Sequence, residues 1–159
     1  MTIRQLEERD LEAASAVCMA AFLGSVAATL AAEGLETFKT IAAPGAFRSR
    51  MQQDNLILVA EHQGQVAGLI ELKEGRHLAM LFIAPQWQQK GLGRQLLAAV
   101  LPHARGDEVT VRASLSSVPA YQKYGFVCQG EVGQVAGLVF QPMVLALHSV
   151  SQSQVVPAS

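Results

Sequence analysis

The chain is poor in cysteine, in aromatic residues and in charge. Two cysteines in 159 residues, Cys18 and Cys128, are too few for a disulfide framework and match no metal-ligand spacing. Both read as small buried hydrophobes in a reducing compartment. No stretch reaches eighteen uninterrupted apolar residues, and the first ten residues hold no apolar leader; a cytoplasmic protein without a membrane partner is expected. Charged residues make up only 16% of the chain, 12 basic against 13 acidic, for a net charge of -1. That balance leaves no basic footprint for a phosphate backbone, so nucleic acid is not an expected partner. His62, His103 and His148 lack a metal-like partner at i+2 or i+4, and no metal site is expected.

What the chain does hold is apolar: 50% of its residues, too much for disorder. One domain is expected over 1–148, followed by a frayed tail over 149–159 without periodicity. Helical spacing of Leu11, Ala14, Val17, Cys18, Ala21 and Phe22 after Asp10 predicts a helix over 10–24. A second, Ala-rich helix is predicted over 26–41, closed by Ala43-Pro44-Gly45, and a short third over 46–51. The apolar runs 56–61, 66–72 and 77–84, separated by the turns at Gly64 and Gly75, predict a three-stranded antiparallel meander. From Leu92 the period turns helical through Leu96, Leu97 and Val100 until Pro102. A strand over 109–113, a short helix over 116–124, and a strand from Phe126 that pairs with 138–147 complete the order. The class is α/β (α+β): a mixed, mostly antiparallel sheet flanked by helices.

The stretch most informative about chemistry is Gln88-Gln89-Lys90-Gly91-Leu92-Gly93-Arg94, where a strand runs through a glycine turn into a helix N-terminus. Free N–H groups and the positive end of the helix dipole converge there, which suits a phosphate. Glycines let the backbone approach a pyrophosphate, and Lys90 and Arg94 add charge at the rim. The spacing matches neither a Walker A loop nor a dinucleotide fingerprint, since it lacks Gly-Lys-Ser/Thr and the third glycine.

Gln88-x-x-Gly91-x-Gly93 resembles the Q/R-x-x-G-x-G/A signature of the GNAT superfamily of acyl-CoA-dependent N-acyltransferases, with Leu81-Phe82-Ile83-Ala84-Pro85 similar to its usual strand lead-in. Val118-Pro119-Ala120-Tyr121-Gln122-Lys123-Tyr124-Gly125-Phe126 resembles a second block of that family. The likeness runs from about Ile3 to Leu147 and implies acetyl-CoA as co-substrate. By this resemblance the amides of Gln88, Gln89, Lys90, Gly91, Leu92, Gly93 and Arg94 hold the CoA pyrophosphate. The backbone of Leu81, Phe82 and Ile83 pairs with the pantetheine arm, and an N–H of Phe82 or Ile83 meets the oxyanion. Where relatives often carry Asn near the end of the fifth strand this chain has Arg112, leaving Ser114 as a weaker pantetheine contact. Tyr124 stands where relatives have Leu.

Amide formation needs a neutral amine, a polarised thioester and a proton for the departing thiolate. Tyr121 occupies the family's general-acid position. His77, which falls where some members carry a catalytic glutamate, and Glu71 are both candidates for the base; the bland reading of Glu71 is a solvated edge charge. By strand alternation His77 is expected to share a face with Ala79, Leu81 and Ile83. The acceptor pocket is expected from the segment Phe22 to Phe47, with Phe38, Phe47 and Arg48 or Arg50 as lining. The expected activity is acetylation of a small primary amine through a direct ternary complex. Acetylation of a protein or peptide, and acetyl-CoA sensing without transfer, stay open, as does a monomer against a homodimer.

Overall fold

The computed structural model describes residues 1–25 and 31–147. The predicted tail over 149–159, His148 and the first five residues of the predicted second helix lie outside the described residues. Strands β1 (Thr2–Gln5), β2 (Asn55–His62), β3 (Gln65–Lys73), β4 (His77–Ile83), β5 (Glu108–Ala113), β6 (Val127–Cys128), β7 (Gly133–Val135) and β8 (Leu138–Ala146) form one sheet. Its order is β1-β2-β3-β4-β5-β8-β6, with β7 paired to β8. The expected meander is β2-β3-β4, and the expected final pairing joins Val127 to Val144. Every pairing is antiparallel except β4 with β5. Two strands were not predicted: β1 is short and polar and is organised by its pairing with β2, and β7 has three residues.

Alternation along the strands divides the core between two faces. Ile57, Val59, Leu69 and Met80 pack under α1 (Leu11–Ser25), α2 (Ala32–Ala42) and α3 (Pro44–Met51). Leu58, Ile70, Leu72, Leu78, Val109 and Val111 pack under α4 (Leu92–Val100) and Tyr121 of α5 (Val118–Tyr124). The apolar stripe of α4, Leu92, Leu96, Leu97 and Val100, is buried as its spacing predicts. Cys18 is buried under the first set of helices, whereas Cys128 is exposed. The expectation of two buried thiols fails at Cys128, which sits on a two-residue edge strand with both residues exposed.

The β7-β8 turn reaches across to α2. Ala136 and Gly137 have φ of +51° and +83°, the left-handed pair of a tight hairpin. The Thr37 hydroxyl donates to the Ala136 carbonyl at 2.7 Å, and Gly137 lies so close to Gly34 that a side chain there would strike backbone.

Candidate active site

The central observation is that β4 and β5 part company. They pair only at His77 with Thr110 and Leu78 with Val111, so the rest of β4 faces an open slot. Which polar groups point into that slot follows from ladder parity. Ala84 N–H donates to the Ala67 carbonyl at 2.8 Å, which makes Phe82 with Leu69 a hydrogen-bonded pair and turns the amide groups of Leu81 and Ile83 away from β3. Of the three residues expected to pair with a pantetheine arm, Leu81 and Ile83 face the slot, while Phe82 N–H is committed to β3. The oxyanion expectation narrows accordingly to Ile83.

A bulge decides where the side chains go. The β3-β4 register shifts so that Glu71 opposes Met80 while Leu72 opposes Leu78, leaving Ala79 as the extra residue. Beyond it the alternation inverts: Leu81 and Ile83 pack on the α4 side, Met80 and Phe82 on the α1-α3 side. His77 therefore does not share a face with Leu81 and Ile83, as expected from a regular strand; it lies on the opposite side with Thr110. Ala79 itself is exposed although it sits mid-strand in the middle of the sheet.

At the far end of the slot, the six consecutive N–H groups from Gln89 to Arg94 donate to no acceptor among the described residues; the first helical bond of α4 is Gln95 N–H to the Gly91 carbonyl at 3.1 Å. Gln89 (φ +62°) and Gly91 (φ +82°) are left-handed, which bends the chain so that these amides converge. The Gln88 side chain is exposed, and its Nε2 donates to the Ile83 carbonyl at 3.1 Å, tying the loop to the end of β4. Lys90 lies over the Trp87 ring at 5.3 Å, and Trp87 meets the edge of His62 at 4.8 Å. Arg94 donates to the Lys123 carbonyl at 3.1 Å and lies over Tyr124 at 5.3 Å, joining α4 to α5. Leu92 is buried, and the Tyr124 hydroxyl rests on Gly93.

Tyr121 is buried in the cluster that also holds Leu81, Ile83, Val111 and Ala113, the residues of both slot walls, with its ring edge-on to Tyr124 and Phe126. Burial raises its pKa well above the ordinary phenol value, so it stays protonated. Ser114 ends the β5 wall, with its hydroxyl 2.7 Å from that of Ser117. His77 is half-buried, its Nδ1 2.8 Å from Thr110 Oγ1, and burial first, then the Arg112 and Lys73 charges, lower its pKa.

Glu71 is no solvated edge charge. It is 1% exposed, and Arg50 Nε donates to its two oxygens at 2.9 and 3.1 Å. Burial raises the Glu71 pKa against the opposing pull of Arg50. Arg50 also donates to the Ile41 carbonyl at 2.9 Å and lies over Phe47. Sequence reasoning had no signal for this tie, because its partners lie on separate elements. Phe47 is fully buried and Arg48 pairs with Glu8 at 2.7 Å on the surface, so neither lines a pocket as expected. Phe38 is buried between Phe22 (3.9 Å, stacked) and Phe82 (5.3 Å, edge-on).

A surface hollow of about 460 Å³ lies away from the slot, lined by Asp54, Glu74, Arg76, Arg105 and Gly106. Its charges already satisfy one another, Arg105 with Asp54 and Arg76 with Glu74, each at 2.6 Å. Among the described residues no helix is long and apolar enough to cross a membrane.

Residues 26–147 match the family model of the acetyltransferase (GNAT) domain. Among solved structures, the GCN5-related N-acetyltransferase from Rhodopseudomonas palustris is similar at 23% identity, covering 92% of this chain and 95% of its own, with a TM-score of 0.80. The PaiA N-acetyltransferase from Thermoplasma acidophilum in complex with coenzyme A is similar at 24% identity, covering 91% and 98%, with a TM-score of 0.73. The yncA protein from Salmonella typhimurium with its cofactor acetyl-CoA follows at 21%, covering 92% and 94%, with a TM-score of 0.67. No curated protein matches the sequence. The chain belongs to the GNAT family of N-acetyltransferases, which use acetyl-CoA as co-substrate.

Proposed function

We propose that the protein moves the acetyl group of acetyl-CoA onto a primary amine of a small molecule in a direct ternary complex. The observation that carries this reading is the slot between β4 and β5, bordered at one end by the unpaired amides of residues 89–94. The pyrophosphate rests on those amides, where the helix dipole favours negative charge. The pantetheine arm enters the slot and completes the ladder on Leu81 and Ile83. The acceptor comes from the α1-α3 side, over the exposed Ala79.

In the reaction the amine nitrogen attacks the thioester carbonyl carbon, and the oxygen that gains charge accepts from the Ile83 N–H. The C–S bond breaks as the amide forms. The departing thiolate takes the Tyr121 proton, and the proton lost by the amine leaves through water to His77; solvent exchange restores both groups. We assign the Nδ1 proton of His77 to Thr110 Oγ1, so that Nε2 keeps its lone pair for this role. Glu71 is already held by Arg50, so we give it a positioning role beneath β4 in place of the base.

Initial-rate kinetics with acetyl-CoA and an amine panel, read by thiol release, test this scheme. Intersecting double-reciprocal lines are expected. Parallel lines with an acetylated enzyme would replace direct transfer by a covalent intermediate.

A further inference from the structure

We infer that the acceptor amine carries an anionic group, a carboxylate or a phosphate, and that Arg112 is the residue that selects it; this rests on the acetyl-transfer reading above. Arg112 is the first residue of β5 beyond the last one paired with β4, so it stands where the slot begins. Its neighbours Val111 and Ala113 are buried on the α4 side. Arg112 therefore projects to the other side of the sheet with Thr110 and His77, beside exposed Ala79. Arg112 is exposed, and its guanidinium lies 4.8 Å from the centre of the Phe140 ring of β8, a stacking contact that leaves its donors open. Among the described residues it makes no ion pair and no hydrogen bond, in contrast to Arg4, Arg48, Arg50, Arg76 and Arg105, all of which meet carboxylates.

The charges around it point the same way. Lys73, opposite His77 in the β3-β4 register, is a second cation on this floor, also without an ion pair among the described residues. The buried Glu71 is neutralised by Arg50, Glu36 on α2 is taken by Lys39, and Glu108 lies four residues back along β5 from Arg112, about 13 Å at strand spacing. A polyamine would bring a second positive charge against Arg112 and Lys73. An amine with an anion near its nitrogen would meet a fork of donors at that point, the geometry arginine offers a carboxylate or phosphate.

The test uses matched acceptors that differ only in the anion: L-phenylalanine against phenethylamine, β-alanine against ethylamine, and O-phosphoethanolamine against ethanolamine, with spermidine as the polyamine. Acetyl-CoA stabilisation of the same samples reports the donor site separately, so loss of that signal sinks the transferase reading and leaves its mark apart from the acceptor ratio. We expect kcat/KM for at least one anionic member to exceed that of its bare partner about tenfold or more. In Arg112→Gln the ratio should fall towards one, chiefly through KM, in Arg112→Lys it should be partly kept, and in Arg112→Glu it should reverse. The phosphate pair tells a phosphate acceptor from a carboxylate one. Preference of the native enzyme for bare amines or spermidine, equal turnover within every pair, no turnover of any member while acetyl-CoA still stabilises the protein, or a ratio unmoved by Arg112→Gln would overturn the proposal.

Discussion

At the scale of single residues, the site divides its work between a phenol and an imidazole whose environments push in different directions. Burial keeps Tyr121 protonated, the state an acid needs before it can give its proton to a thiolate. Tyr121→Phe keeps the ring packing against Tyr124 and Phe126 and removes only the hydroxyl. Turnover should fall at least tenfold with acetyl-CoA affinity nearly unchanged; full activity in this variant would end the acid assignment. His77 is held below its ordinary value of 6.5, so it is neutral at pH 7 and competent to accept a proton. The lowered pKa means that the unfolded chain binds this proton more readily than the folded one. Stability from this group is complete above about pH 6.5 and is lost as the pH falls from there through the folded pKa. The acid limb of kcat/KM should accordingly have its midpoint below 6.5, and His77→Gln should lower the plateau and abolish that limb. A limb unchanged in His77→Gln places the base elsewhere.

At the scale of elements, the register of β4 matters more than its composition. The apolar run 77–84 announces a strand, but a bulge arises from the match to β3 and is invisible in the run itself, which is why Leu81 and Ile83 fall on the side away from His77. The glycine turn was legible because Gly91 and the N-terminus of α4 stand together in the chain; the Gln88 tie to Ile83 was not, since it needs the end of β4 folded back on the loop. Tyr124 places its hydroxyl against Gly93. Gly93→Ala should therefore lower Tm, because the new methyl must displace that hydroxyl. In a Tyr124→Leu background the penalty should shrink, with a coupling on the order of 1 kcal/mol in thermal or denaturant unfolding. Additive losses would show that the contact between α4 and α5 is not what keeps position 93 a glycine.

At the scale of the whole molecule, the order of elements could be read from periodicity and turn residues, but the two-faced core could not. Leu56 to Ala60 is apolar at every position, and only the fold sends Ile57 and Val59 to one helix layer and Leu58 and Ala60 to the other. Ties between distant elements were not legible either. Glu71 looks like an edge charge in sequence, and only the fold brings Arg50 to it from α3 and joins it to the end of α2 through the Ile41 carbonyl. Arg50→Met leaves Glu71 buried without its cation, a change that costs about 3 kcal/mol in comparable buried pairs. Burial already raises the Glu71 pKa, and losing Arg50 removes the principal opposing influence. A raised folded pKa contributes stability that is full below the unfolded value near 4.5 and is lost as pH rises through the folded one. The variant should thus lose more stability than the native protein between pH 5 and 8 in denaturant unfolding; a pH-independent difference would mean that Glu71 is hydrated once Arg50 is gone.

The slot and the amides of residues 89–94 make one claim that a single titration can reach: the folded protein binds acetyl-CoA. Thermal unfolding followed against increasing acetyl-CoA should give a saturable rise of several degrees, since a hundredfold excess over Kd adds about 2.7 kcal/mol to the folded state. A cooperatively folded sample whose Tm does not move would contradict it, leaving a family fold whose slot does not hold the donor.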